Sequence, residues 1–290
     1  MTATAFREAF LARMKRDAVA FVMDMDSLLK IAAAGRLLAR LMEADERWVL
    51  KGGLNMLAHL GLMARLTRDA DLAAGLDRDV AVDAITAAAE KDLADHFHFR
   101  VRPPGPLPAD GERGGLRFRV DAVVGGRPLA SFDLDIVLAA PDPADVEWIA
   151  LPNLLAFAGI DAPKVRALRP GRQTVEKLHA YTRDYGRAEN SRPRDLVDML
   201  ALAAAFTFSS DELAYVGRAV FTERGRQSWP PRLEPPPAAW NAYWERNGRG
   251  AHGLPDVDLA GASGLLAIFW SPVLAGLGGK TWDPPAWGWA

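Results

Sequence analysis

The sequence predicts an α+β protein: a mixed β-sheet with helices packed on it, followed by a mainly helical C-terminal region. Three observations carry this. Residues 5 to 44 place apolar side chains at helical spacing, most clearly in "DSLLKIAAAGRLLARLMEAD". Between residues 46 and 150, short runs rich in strand formers alternate with two helical segments. From about residue 151 the strand signals give way to helical ones.

The elements follow in order. "RWVLK" is a short apolar run that stops at Gly52-Gly53. "LNMLAHL" reads as a helix closed by Gly61, because glycine takes the left-handed conformation that ends many helices. "RLTRDADLAA" returns as a strand, and residues 79 to 96 read as a helix. "FHFRVR", "GLRFRVDAVV" and "LASFDLDIVLA" are three alternating segments split by turns rich in Pro and Gly. "LPNLLAFAGIDAP" is a connector. The helices "GRQTVEKLHAYTRDY", "SRPRDLVDMLALAAAF" and "SSDELAYVGRAVF" follow, the last with a serine N-cap. We divide the chain into an N-terminal helical segment (1–45), a core (46–150), a helical region (151–226) and a Trp/Pro-rich extension (227–290). The extension holds seven of the nine tryptophans. Aromatics at that density argue for packing and against plain disorder.

The chain has 290 residues, 50% of them apolar, and a formal net charge of −2. No global basic field marks a nucleic-acid binder, so any such surface is local. Cysteine is absent, which excludes disulfides, thiolate metal sites and thiol nucleophiles. The N-terminal stretch interrupts its apolar residues with charges, unlike a signal peptide, and no apolar run approaches the roughly 20 residues of a membrane helix. The expected location is the cytoplasm.

The chemistry concentrates in residues 51 to 72, "KGGLNMLAHLGLMARLTRDADL". A strand that ends in two glycines and opens a helix lets backbone N–H groups face an anion closely, and Lys51 adds charge nearby. Taken alone, KGG fits an ordinary strand-to-helix turn as well. Asp69 and Asp71 lie two apart on a strand, so both carboxylates share a face about 7 Å apart. Paired acids repel unless a cation sits with them, and a hard divalent ion suits their oxygens. A solvated strand edge is the alternative. Asp133 and Asp135 form a second pair within an otherwise apolar strand, where charge is costly unless something binds it. Asp135, deeper in the run, is the choice for a third ligand; Asp133 is left to a supporting role or a pairing with an arginine.

These motifs, with "WVLKGG" and "RLTRDADL" in order, resemble the AbiEii group of the polymerase-beta-type nucleotidyltransferase superfamily. AbiEii proteins are toxins of type IV toxin–antitoxin systems, related to the MenT toxins that modify transfer RNA. The resemblance spans about residues 30 to 205 and includes the helical Lys177 in "TVEKLHAY" and the segment "SRPRDLVDML" with Arg194, Asp195 and Asp198. It implies a nucleotidyltransferase-like sheet and transfer of a nucleotide from an NTP to an acceptor hydroxyl. Asp69, Asp71 and Asp135 would bind Mg2+ or Mn2+, with Lys177 and Asp198 also catalytic. Lys51, Gly52, Gly53, Arg65, Thr67 and Lys177 would bind the nucleotide. It further implies a transfer-RNA 3′ end as acceptor and a cognate antitoxin as partner. A small-molecule or protein acceptor, or a non-catalytic RNA- or nucleotide-binding scaffold, is the alternative.

Further expectations come from the residues. Lys177 reads as an exposed helix lysine whose loss costs stability little. Arg194 and Asp198 read as an i,i+4 pair in a helix-stabilising charge cluster, at even weight with a site role. Between Lys164 and Arg194, nine lysines and arginines face three acids, a local basic band that would draw RNA. His59 reads as a packing residue, His179 fits a surface or packing histidine at least as well as a base, and His96 and His98 lack a third partner for zinc.

Overall fold

The structure is a computed structural model that describes residues 1–20, 23–65, 67, 69–107, 115–184, 190, 192–225, 227–251 and 253–290. It divides into two units. One comprises Met1–Leu62 and Leu66–Leu168, the other Met63–Arg65 and Arg169–Ala290.

In the first unit the helical stretch from residue 5 to 44 is two helices, α1 (Ala3–Ala20) and α2 (Met25–Ala44). The Asp24 carboxylate accepts from the Ser27 backbone N–H at 3.1 Å, which supplies one of the partners a helix start lacks. There follow β1 (Val49–Lys51), α3 (Gly52–Leu60), β2 (Asp69–Ala73), α4 (Arg78–Glu90), β3 (Phe97–Val101), β4 (Gly105–Pro106), β5 (Gly115–Val124), β6 (Arg127–Val137), β7 (Val146–Ala150) and β8 (Lys164–Leu168). Gly61 closes α3 with φ 60°.

The helix expected over 79–96 stops at Glu90. The chain turns out of it, with positive φ at Ala94 and His96, and sends Asp95 inward. There the Asp95 carboxylate, 1% exposed, accepts from Arg36 at 2.6 Å and twice from Arg40 at 2.8 Å. Arg40 also donates to the carbonyls of Arg36, Lys91 and Phe97. A buried charge with so many partners outweighs one more turn of helix.

The strands form one mixed sheet in the order β3-β5-β6-β2-β1-β8-β7, with β4 on β5. The pairs β1–β8 and β2–β6 are parallel and the others antiparallel. β7 and β8 are strands the sequence reading passes over. One side of the sheet carries Leu50, Ala70, Leu72, Phe118, Leu134, Ile136, Val165 and Ala167, all buried, with α2 packed against it. Alternation sends the intervening residues to the other side.

The second unit contains α5 (Pro170–Tyr181), α6 (Pro193–Ala205), α7 (Ser210–Arg224), α8 (Asn241–Asn247), α9 (Leu259–Leu274), β9 (Trp282–Asp283) and β10 (Gly288–Trp289). The Ser209 side chain caps α7 by accepting from the Glu212 N–H. Phe269 and Trp282 are both fully buried with ring centroids 4.9 Å apart. Indole N–H groups donate to carbonyls, Trp282 to Ala203 at 2.7 Å and Trp289 to Phe269 at 2.9 Å. The tryptophan-rich extension is therefore packed core: five of its seven indole N–H groups donate to carbonyls, while those of Trp229 and Trp270 are buried without a partner among the described residues. No described helix is long and apolar enough to cross a membrane.

Candidate active site

The acids sit on the side of the sheet opposite α2. Register pairs Asp69 with Asp133 and Asp71 with Asp135 across the parallel β2–β6 pair. Four carboxylates thus form a square on one face, as two strands of alternating Asp dictate once they lie side by side in register. β5 adds a feature the sequence reading missed. Arg117 is the register partner of Asp135, and Arg119 of Asp133. Arg117 grips Asp135 with two hydrogen bonds of 2.7 and 2.6 Å, and Arg119 reaches Asp133 at 2.9 Å. The signal was present in "GLRFRV", whose two arginines share a face, but only the register shows which acids they meet. The hydrogen bond to Asp135 leads the causes that strengthen the proton affinity of Arg117.

Lys51 continues the row, paired in register with Asp71. Gly52 follows with φ +67°, and a Cβ placed there would lie 2.0 Å from Asp71 Oδ2. Only glycine allows both that conformation and that approach. A Cβ on Gly53 would lie 2.5 Å from Thr67 Oγ1. The two glycines therefore bring the start of α3 against Asp71 and Thr67. Thr67 and Asp69 also border a small cavity with Lys30 of α2, which itself pairs with Asp26 at 2.6 Å.

The remaining predicted residues lie in the second unit. Arg65 binds Asp198 of α6 through two hydrogen bonds of 2.7 and 2.8 Å. Lys177 of α5 contacts Asp195 at 3.0 Å and Asp198 at 2.8 Å, and Arg192 closes on Asp195 at 2.5 Å. Lys177 is 6% exposed, Asp195 0% and Asp198 1%. This corrects two expectations. Lys177 is a buried cation joined to two carboxylates, not an exposed lysine. Asp198 is bound by Arg65 and Lys177 instead of Arg194, which lies exposed. Burial would raise the Asp198 carboxyl, but the charges of Lys177 and Arg65 outweigh it and hold it down to about 2. Burial likewise opposes the Lys177 charge, and Asp195 with Asp198 outweighs it and pushes the ammonium up.

The basic band is also corrected. Arg172 is 5% exposed and paired with Glu176 and Glu223, and Lys177 is neutralised as described. Arg187 lies outside the described residues. Lys164, Arg169 and Arg194 are the exposed cations. His59 donates to the Leu168 carbonyl at 2.8 Å, with burial lowering its pKa, and His179 packs edge-on against Phe221; both are packing residues.

Asp69 and Asp71 offer hard oxygens of the kind a divalent ion takes. Asp135, the third expected ligand, has both oxygens engaged by Arg117. Among the described residues no group of three carboxylates or histidines is gathered for a metal. The donor chemistry therefore fits at Asp69 and Asp71, while Asp135 would have to exchange its guanidinium for the ion.

The chain is similar in structure to the MenT4 nucleotidyltransferase toxin of Mycobacterium tuberculosis H37Rv, with 20% identity and a TM-score of 0.57 over 99% of this chain and 93% of that one. A putative nucleotidyltransferase from H. pylori is 16% identical, with a TM-score of 0.49 over 88% of this chain and 99% of that one. No curated protein sequence matches the chain. The family described as nucleotidyl transferase AbiEii toxin, type IV TA system, matches residues 36–259. The chain belongs to the AbiEii family, the nucleotidyltransferase toxins of type IV toxin–antitoxin systems.

Proposed function

We propose that this nucleotidyltransferase moves a nucleotide from an NTP to a hydroxyl of an RNA acceptor, the 3′ end of a transfer RNA. It acts in the cytoplasm as a toxin that a cognate antitoxin restrains. The observation that carries the reading is the register of Asp69 and Asp71 with Asp133 and Asp135, beside the Gly52 turn.

Asp69 and Asp71 would hold Mg2+ or Mn2+, with Asp135 joining them. When bound, such ions neutralise charge on the triphosphate and favour ionisation of the attacking hydroxyl. Asp135, once it exchanges Arg117, would also lower the barrier to that deprotonation. The start of α3, which Gly52 and Gly53 bring against Asp71 and Thr67, would offer its backbone N–H groups to phosphate oxygens, with Lys51 alongside. The acceptor oxygen bonds to the α-phosphorus, the bond to the β-phosphate oxygen breaks, and pyrophosphate leaves with the electron pair. Lys177, Arg65 and Asp198 bind one another as one ion cluster within the second unit.

The test is incubation with each labelled NTP, Mg2+ and total RNA, followed by gel analysis. Label on a transfer-RNA band that disappears with a chelator is the expected result. Label on no RNA, with pyrophosphate released and the nucleotide carried by another acceptor, would overturn the RNA reading.

A further inference from the structure

β7 is the terminal strand of the sheet, and its Trp148 is 51% exposed. In the antiparallel β7–β8 pair, Trp148 is the register partner of Arg166, and Ala150 of Lys164. The parallel register of Leu50 with Ala167 places Arg166 in line with Val49. Trp148, Arg166 and Lys164 therefore lie on the same side of the sheet as Lys51, Asp69 and Asp71. Between them that side is closed by Val49, Val146 and Leu168, all buried, with α3 held to the Leu168 carbonyl by Asn55 and His59. Glu147, paired with Ala167, alternates to the opposite side.

The charges here differ from those that ion pairs cancel. Arg117, Arg119, Arg172, Lys177 and Arg192 are each bound to a carboxylate. Arg166 donates instead to the Glu46 backbone carbonyl, which leaves its charge uncancelled. Among the described residues neither Lys164 nor Arg166 has an ion-pair partner, and Lys164 is exposed. A half-exposed indole beside two uncompensated cations suits a nucleic-acid single strand, whose bases stack on aromatic rings while its phosphates meet the cations. Three strand spacings of ~4.8 Å separate β2 from β7, about 14 Å across the sheet. A strand whose end lies at Asp71 spans that distance with a few nucleotides.

We propose that Trp148, Arg166 and Lys164 form a docking patch for a single-stranded segment of the acceptor RNA, a few nucleotides from its reacting end. This rests on the RNA-acceptor reading. The test is binding of a labelled single-stranded oligoribonucleotide, followed by anisotropy across a salt series. Melting curves and NTP binding of each variant serve as fold controls. Trp148→Ala should weaken binding about 5- to 150-fold, as loss of one stacked base implies, without changing the salt slope. Trp148→Phe should stay within about 3-fold of wild type because its ring still stacks. Lys164→Gln with Arg166→Gln should flatten the slope of log affinity against log salt by about 1.4, at ~0.7 for each phosphate contact. Wild-type RNA binding left intact by Trp148→Ala would overturn the patch and leave the acceptor reading standing. A wild-type protein that binds NTP but no RNA would overturn both. A dimer that Trp148→Ala dissociates in sedimentation, with RNA affinity unchanged, would assign the patch to a second copy and also overturn the proposal.

Discussion

Replacing Lys177 with alanine removes the ammonium that joins two carboxylates in the second unit. Asp195 and Asp198 are 0% and 1% exposed, so water cannot take over the lost contacts at 3.0 and 2.8 Å. Breaking a buried ion pair by deleting one partner costs about 3–5 kcal/mol. Arg65 still holds Asp198 with two hydrogen bonds, and Arg192 still holds Asp195. Those arginines set the expected loss at the lower end, about 3 kcal/mol. For a unit of this size that corresponds to a fall in Tm of about 10 °C. Urea unfolding at neutral pH reads the free energy directly, and calorimetry reads Tm. Transfer activity is then measured well below the variant's Tm, so that its loss reports chemistry and not unfolding. A loss below about 0.5 kcal/mol, the range of an exposed helix position, would refute the buried cluster.

Four further outcomes follow from the same geometry. Because the folded Asp198 carboxyl is held at about 2, below its ordinary 3.8, its contribution of about 2 kcal/mol is complete above roughly pH 4 and lost as pH falls toward 2; acid unfolding followed by circular dichroism should lose this component in Asp198→Asn. Asp69→Ala or Asp71→Ala should abolish transfer while leaving the melting curve within a few degrees, and wild-type turnover by either would sink the metal assignment. Arg117→Met should lower the Mg2+ concentration needed for half-maximal transfer, since the ion no longer competes with a guanidinium for Asp135; an unchanged Mg2+ profile would exclude that competition. Arg40→Ala should destabilise the first unit by about 3–5 kcal/mol, because Asp95 would stay buried with Arg36 as its remaining ion-pair partner, and a urea midpoint equal to wild type would contradict this.

Much of the first unit was legible because alternation and turn residues speak locally. β5 and β6 follow directly from "GLRFRVDAVV" and "LASFDLDIVLA", and the Gly-Gly break after β1 marks the start of α3. What failed was long-range. β7 and β8 are strands of five residues, too short for their pattern to stand out, and their place at the end of the sheet is what makes them strands. The early end of α4 depends on Arg36 and Arg40, more than fifty residues earlier in the chain. Lys177 looked exposed because most helix lysines are, and nothing local says that α6 brings two carboxylates to meet it.

The two sets of acids make the point sharpest. On paper D-x-D at 69–71 and D-x-x-D at 195–198 are equivalent clusters, each beside basic residues. The fold separates them by access to solvent. Arg117 and Arg119, paired with Asp135 and Asp133, are 39% and 45% exposed, so those arginines can move into water when another cation arrives. Lys177 cannot do so without leaving two buried carboxylates uncompensated, which costs several kcal/mol. A site that must take up and release ions with each turnover needs the first arrangement. The second holds α5 to α6, and a periodicity argument cannot tell one from the other because it contains no term for burial.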